Sequence, residues 1–265
     1  MSQINRLNSK GRIDCDSPIN FTYNGRQMQG VAGDTLASAL LANGVNLVGR
    51  SFKYSRPRGI VGHGAEEPNA IMQIGSGAAT VPNLKATQVE LYEGLESASV
   101  NGWPSVNFDL MSITGWFGRM MPPGFYYKTF MYPAKLWMTY EHFIRKAAGL
   151  GSAPVQDDPD SYDKLNQHCD VLVVGAGPAG LVAALEAARA GARVIIADEQ
   201  SEFGGSLLGA SSHVDQRPAA DWLAQIVQEL NEFANVQRLP RSTVFGYYDH
   251  NFLAIVERCT DHLGI

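Results

Sequence analysis

The chain has 265 residues, 45% hydrophobic and 18% charged, enough apolar material for one large or two ordinary domains with buried cores. Its 21 basic and 26 acidic side chains leave a formal charge of −5, and no basic run offers a nucleic-acid or anionic-membrane surface. The polar N-terminus lacks the apolar core of a secretory signal, no run nears the roughly 18 apolar residues of a membrane span, and three scattered cysteines form no disulfide framework, which together point to the cytosol.

From Ile19 the chain alternates apolar and polar residues, breaks at Asn24-Gly25, and alternates again, the strongest short signature of a β-hairpin. Asp34 is placed to cap a short helix that ends at Gly44, with Leu40 and Leu41 as its expected core contacts. Arg50, Lys53, Arg56 and Arg58 then cluster beside Phe52 and Tyr54. Such a loop is either a solvated basic surface or a contact for a cofactor phosphate or an acidic partner.

The order hairpin, capped helix, R-P-R-G loop and strand resembles the ferredoxin-type β-grasp domain of some amine-oxidising enzyme subunits. In cluster-bearing relatives a C-x4-C-x2-C run follows the R-G dipeptide. The matching positions here are Gly62, Glu67 and Ala70, with Thr87 as the fourth. None is a cysteine, so the resemblance implies a ferredoxin-like fold that has lost its 2Fe-2S cluster, over residues 1–100.

Leu84 to Val100 reads as further short strands. Residues 101–166 form an aromatic-rich connecting segment and linker, with three of the four tryptophans early in it and an amphipathic helix expected over Lys135–Ala148. Packing between domains and a subunit interface both suit its Trp, Tyr, Phe and Met content. Gly149–Asn166, with two prolines and four aspartates, reads as the linker proper.

From residue 167 the pattern becomes that of a Rossmann-type dinucleotide-binding domain, residues 167–265. Val171–Val174 has the β-branched content of a buried strand and runs into Gly175-Ala176-Gly177-Pro178-Ala179-Gly180. That is G-x-G-x-x-G between strand and helix. Gly175 permits the turn, Gly177 admits a pyrophosphate to the backbone, and Gly180 lets the helix lie on the strand. The phosphates would meet free N–H groups at the helix start. A helix over Leu181–Ala190 stops at Gly191, a second strand follows at Arg193–Ala197, and Asp198 stands about 20 residues past the first glycine, where a carboxylate grips the adenosine ribose. Glu199 is placed to share that contact, and Gly205 and Ser206 supply a second flexible backbone. Pro218 opens another helix, and a hairpin turns at Asp249–Asn251, with Val244 at the position that meets the adenine in related folds. Only the first half of a doubly wound sheet is expected, so the domain reads as truncated and the chain as a fragment.

D-T-L-A-S-A-L-L-A-N-G, R-S-F-K-Y-S-R-P-R-G, P-P-G-F-Y-Y-K-T-F and V-G-A-G-P-A-G together resemble the α subunits of heterotetrameric sarcosine oxidase along the whole chain. The resemblance implies a cytoplasmic flavoprotein complex with β, γ and δ subunits. That complex demethylates sarcosine to glycine, hydrogen peroxide and formaldehyde, or 5,10-methylenetetrahydrofolate when folate accepts the carbon. It implies NAD on this chain, held by Gly175, Gly177, Pro178, Ala179, Gly180 and Asp198, with FAD, FMN, tetrahydrofolate and zinc elsewhere. An acid at Asp198 favours NAD over NADP. No catalytic residue is assigned, and the six histidines show no metal-ligand spacing. Two alternatives stand beside it: an FAD-binding subunit of another amine or amino-acid dehydrogenase, and a non-catalytic assembly subunit with a structural nucleotide.

Overall fold

The computed structural model describes residues 3–7, 11–116, 124 and 132–264. Most of P-P-G-F-Y-Y-K-T-F lies outside them. The described chain divides into two compact units, 1–160 with 262–265, and 161–261.

In the first unit, β1 (Asp14–Tyr23) and β2 (Arg26–Ala32) form the expected hairpin, with β1 starting earlier than Ile19. Asn24 and Gly25 both take positive φ, 49° and 74°, as a tight two-residue hairpin turn requires. After β3 (Gly49–Arg50) and β4 (Pro57–Arg58) come β5 (Ile71–Ile74), β6 (Val81–Lys85) and β7 (Leu95–Ser99). The main sheet runs β2-β1-β7-β5-β6, with β1 and β7 parallel and the other pairs antiparallel. Helix α1 (Leu36–Ala42) packs Leu36, Ala39 and Leu40 into a core with Phe21, Met72 and Leu95, all fully buried. Each buried Leu or Phe contributes about 2 kcal/mol of transfer free energy.

Two sequence expectations about α1 are corrected. The capping residue is Thr35, whose hydroxyl accepts from Ser38 N–H at 3.2 Å while Ser38 Oγ accepts from Thr35 N–H at 3.0 Å. Asp34 instead closes the preceding turn, accepting from Val31 N–H and Ser38 Oγ and pairing with Arg6. Leu41 points away from the core and is 38% exposed, because Leu40 already occupies the inward position and the next residue lies about 100° round the helix.

The basic loop is built partly for its own support. Arg50 donates to the carbonyls of Val106, Ser55 and Asn107. Lys53 and Arg56 lie over the Tyr54 ring, and the loop lines a cavity of about 470 Å³. Further on, helix α2 (Trp137–Ala148) follows a 3-10 turn at Ala134–Leu136 and ends on Gly149 at φ 80°. Residues 149–169 carry no regular structure.

The second unit is an α/β layer. Parallel strands β8 (Val171–Val174), β9 (Val194–Ala197) and β12 (Val236–Leu239) lie in the order β12-β9-β8. The short pair β10 (His213–Val214) and β11 (Arg217–Pro218) precedes the last helix. Helices α3 (Pro178–Arg189) and α4 (Ala219–Glu232) cover the sheet, burying Leu181, Leu185, Trp222, Ile226 and Leu230 against Ile196. Within this chain β8 lies at an edge of the sheet with Val174 58% exposed, and β9 between its two neighbours is buried at every residue. Hairpin β13–β14 (Ser242–Tyr248, Phe252–Glu257) turns at Asp249–Asn251.

Candidate dinucleotide site

Strand β8 ends and helix α3 begins within the glycine run, and three glycines do different work. Gly175 sits at φ 94°, a conformation that L side chains rarely adopt. At Gly180 a Cβ would stand 1.9 Å from the Gly175 carbonyl oxygen, so only glycine lets helix and strand meet this closely. Gly177 is the helix cap, with φ −69° and ψ 179°, no side-chain capping bond, and open space where a Cβ would be.

The first turn of α3 therefore has no side-chain cap. Pro178 at the first helical position has no N–H to satisfy, and the amides of Ala179 and Gly180 belong to the orphan set of any helix start, where the dipole favours an anion. Gly205 abuts this point: its own Cβ would lie 3.0 Å from Gly177 Cα, and Gly205 takes φ 53°. Gly204 N–H donates to Ala176 O at 2.8 Å, which ties the second glycine pair to the first turn. Ser206 is exposed beside them.

Asp198 follows β9 directly, half-buried, and its carboxylate reaches into the same turn. One oxygen accepts from Ala176 N–H at 2.6 Å and the other from Gln200 N–H at 2.8 Å. A carboxylate offers about four acceptor positions, so two remain. The Asp198 carbonyl takes Ser242 N–H at 2.7 Å, which roots hairpin β13–β14 at the end of β9. Val244, half-buried, is two residues further along that hairpin. Glu199 is held by its backbone carbonyl, which accepts from Arg258 Nη2 at 2.7 Å.

The structure thus brings Gly175, Gly177, Pro178, Ala179, Gly180, Gly205 and Asp198 together around one turn. Glu199, Ser206 and Val244 lie close in the chain to Asp198, Gly205 and Ser242 respectively. Sequence reasoning missed Ala176, whose N–H anchors Asp198, and Ser242, which anchors the hairpin. Both act through backbone amides, for which residue type carries no signal. Cys169, just before the strand, has its thiol pushed up by burial and by Asp170 beside it, the opposite of a reactive thiolate. Among the described residues no group of three or more His, Cys, Asp or Glu is placed to hold a metal ion, and no helix is long and apolar enough to cross a membrane.

A mixed five-stranded sheet followed by a glycine-rich β–α–β unit makes a chain of two parts, and family comparisons describe the same two parts. Residues 16–102 match the 2Fe-2S iron-sulfur cluster binding domain family, and residues 170–252 match the FAD dependent oxidoreductase family. The chain is homologous to sarcosine oxidase α subunits. It is 55% identical over 259 residues to sarcosine oxidase subunit alpha of Rhizobium meliloti (strain 1021), covering 97% of this chain and 26% of that protein. With the same subunit from Corynebacterium sp. (strain U-96) it shares 37% identity, covering 99% of this chain and 23% of the relative. The chain therefore spans about a quarter of the length of these relatives. L-proline dehydrogenase from P. horikoshii shares the fold, with a TM-score of 0.52 at 16% identity, over 96% of this chain and 39% of that one.

The iron-sulfur description meets a chemical difficulty. A 2Fe-2S cluster is held by thiolates, or by thiolates and histidines in one class. The free cysteines are Cys15, Cys169 and Cys259, none in the loop that the resemblance equates with the cluster loop. A Cβ on Gly62 would stand 3.1 Å from Glu67 Cα, so the loop has closed on the space a ligand side chain needs. The residues present do not fit the cluster.

Proposed function

We propose that this chain is the N-terminal part of the α subunit of a flavin-dependent, sarcosine-oxidising complex, and that residues 167–265 bind the adenine dinucleotide NAD. The complex would contain β, γ and δ subunits in the cytoplasm and yield glycine, hydrogen peroxide and formaldehyde or 5,10-methylenetetrahydrofolate. The observation carrying the nucleotide reading is the uncapped Gly177 start of α3, with the Asp198 carboxylate bonded to the same turn.

On this reading the pyrophosphate rests against the amides of Gly177, Ala179 and Gly180, where the helix dipole and unsatisfied N–H groups favour its charge. Gly177 keeps the approach open, and Pro178 fixes the first turn. The two vacant acceptor positions of Asp198 suit the ribose hydroxyls, and its negative charge disfavours a 2′-phosphate. Glu199, Gly205, Ser206 and Val244 complete the proposed contacts. Bound nicotinamide supplies hydride chemistry, whereas this chain's residues supply binding and orientation.

A second reading has its own support: the match over residues 170–252 is to FAD dependent oxidoreductases, and a glycine turn with a following Gly-Gly also serves FAD. Denaturing extraction of the purified full-length complex and of its isolated α subunit, with the released nucleotide identified by mass, separates the two. NAD released from the α subunit is the expected result. FAD there, with no NAD, would replace the first reading with the second.

A further inference from the structure

The loop over residues 59–70 contains a buried anion that the dinucleotide reading does not use. Glu67 is fully buried, and its carboxylate collects four backbone N–H groups. One oxygen accepts from Val61 at 2.8 Å and Gly62 at 2.6 Å, the other from Asn69 at 2.7 Å and Ala70 at 3.1 Å. A carboxylate removed from water is costly when it stands alone, and charge-assisted bonds to every acceptor direction offset that cost. Burial is the strongest single influence on this carboxyl and pushes it up, but the four amides together outweigh burial and hold it below the ordinary range.

The rest of the loop is closed around the same point. Thr87 Oγ donates to Gly64 O at 2.6 Å, Asn69 Nδ2 donates to Gly59 O at 3.0 Å, and Lys85 Nζ donates to Ala65 O. Ala70, fully buried, accepts from Ala86 N–H at 2.9 Å. These are the positions matched to the ligands of a 2Fe-2S loop, in which the chain wraps an anionic cluster whose sulfurs take hydrogen bonds from the surrounding protein.

We propose that the Glu67 carboxylate is the organising anion of this loop, standing where related domains carry an iron-sulfur cluster, so that the first unit reaches its ferredoxin-type fold without iron. The amides that would otherwise surround cluster sulfur are satisfied by a side chain of the loop itself. The inference rests on the domain being cluster-free and goes further, by naming the group that replaces the cluster. The first unit is then a structural domain within its chain, with no iron-sulfur centre of its own.

Two measurements on the full-length assembled protein keep the parts distinct. Anaerobic incubation with ferrous iron and sulfide, followed by desalting and assay of iron and acid-labile sulfide, tests the absence of a cluster. Hydrogen exchange read by mass spectrometry on peptides covering 59–63 and 68–72 tests Glu67. Wild-type protein is expected to retain no stoichiometric iron and to exchange slowly in both peptides. Glu67→Ala should speed exchange in both by about tenfold or more. Glu67→Gln, whose carboxamide keeps one accepting oxygen, should speed exchange in one peptide and spare the other, which preserves the test if the alanine variant fails to fold. Stoichiometric iron and sulfide in the wild type would overturn the cluster-free reading. Protection unchanged in both variants would overturn the role of Glu67 whatever the iron content.

Discussion

Two loops in this chain draw backbone N–H groups toward one point, and they differ in what fills it. Around residues 59–70 the point holds the Glu67 carboxylate, with four amides on it. At the glycine turn a single amide, that of Ala176, is taken by Asp198, and the helix beyond Gly177 starts with no side-chain cap. A converging set of amides is an anion site in either case. Whether it admits a ligand depends on whether the sequence provides its own carboxylate or leaves glycine there.

The sharpest break in the comparison is at Gly180, which shapes the open loop through the side chain it lacks. Gly180→Ala drives a Cβ into the Gly175 carbonyl at 1.9 Å, a backbone clash that no rotamer relieves. We expect a loss of roughly 3 kcal/mol or more, read as a lower unfolding midpoint of residues 161–261 with the first unit unchanged. Glu67→Ala comes next. It strands four buried amides, and after partial rescue by water the expected loss is roughly 2 to 3 kcal/mol in the first unit alone.

Gly177 gives the opposite signature. Its backbone angles suit any residue, and nothing lies within 4 Å of an added Cβ, so Gly177→Val should change stability by less than about 1 kcal/mol. The same side chain would fill the approach to the amides and weaken dinucleotide binding at least about tenfold, measured by calorimetric titration with NAD and with FAD. An unchanged affinity would place the ligand elsewhere.

Much of this contrast is legible from residue order, and the rest is not, for a physical reason. Strand, glycine turn, helix and acid are local patterns with fixed spacings, so the β8–α3–β9 unit and the Asn24-Gly25 hairpin are read directly. Asp34 and Thr35 are both good capping residues, and only the three-dimensional turn decides that Thr35 caps while Asp34 binds Arg6. Glu67 stands out in sequence as a missing cysteine. Its role appears only when four amides from both sides of the loop meet it, and backbone donors leave no mark on residue type.

The smallest expected effect concerns pH and tests whether carboxylates in the two units behave as differently as their surroundings. In the first unit Asp109 is buried; burial is the strongest influence on it and pushes its carboxyl up. Bonds from Ser55, Trp103 N–H and Met111 N–H, with Arg50 nearby, outweigh that and hold it below the ordinary range. In the second, Asp170 is exposed, and its bonds from the Arg193 side chain and amide hold it down at about 2. Both carboxyls are lower in the folded state, so each contributes stability that is complete above the unfolded value near 3.8 and is lost as pH falls through the folded one. For Asp170 the window runs from about pH 4 to about pH 2. An exposed pair is screened by ions and a buried hydrogen-bonded carboxylate much less, so the Asp170 contribution should fade in about 1 M salt while that of Asp109 persists. Acid unfolding followed by hydrogen exchange in each unit, at low and high salt and in Asp170→Asn, reads this directly. A second unit whose acid sensitivity ignored both salt and the substitution would show that the Asp170–Arg193 pair does not set its response to acid.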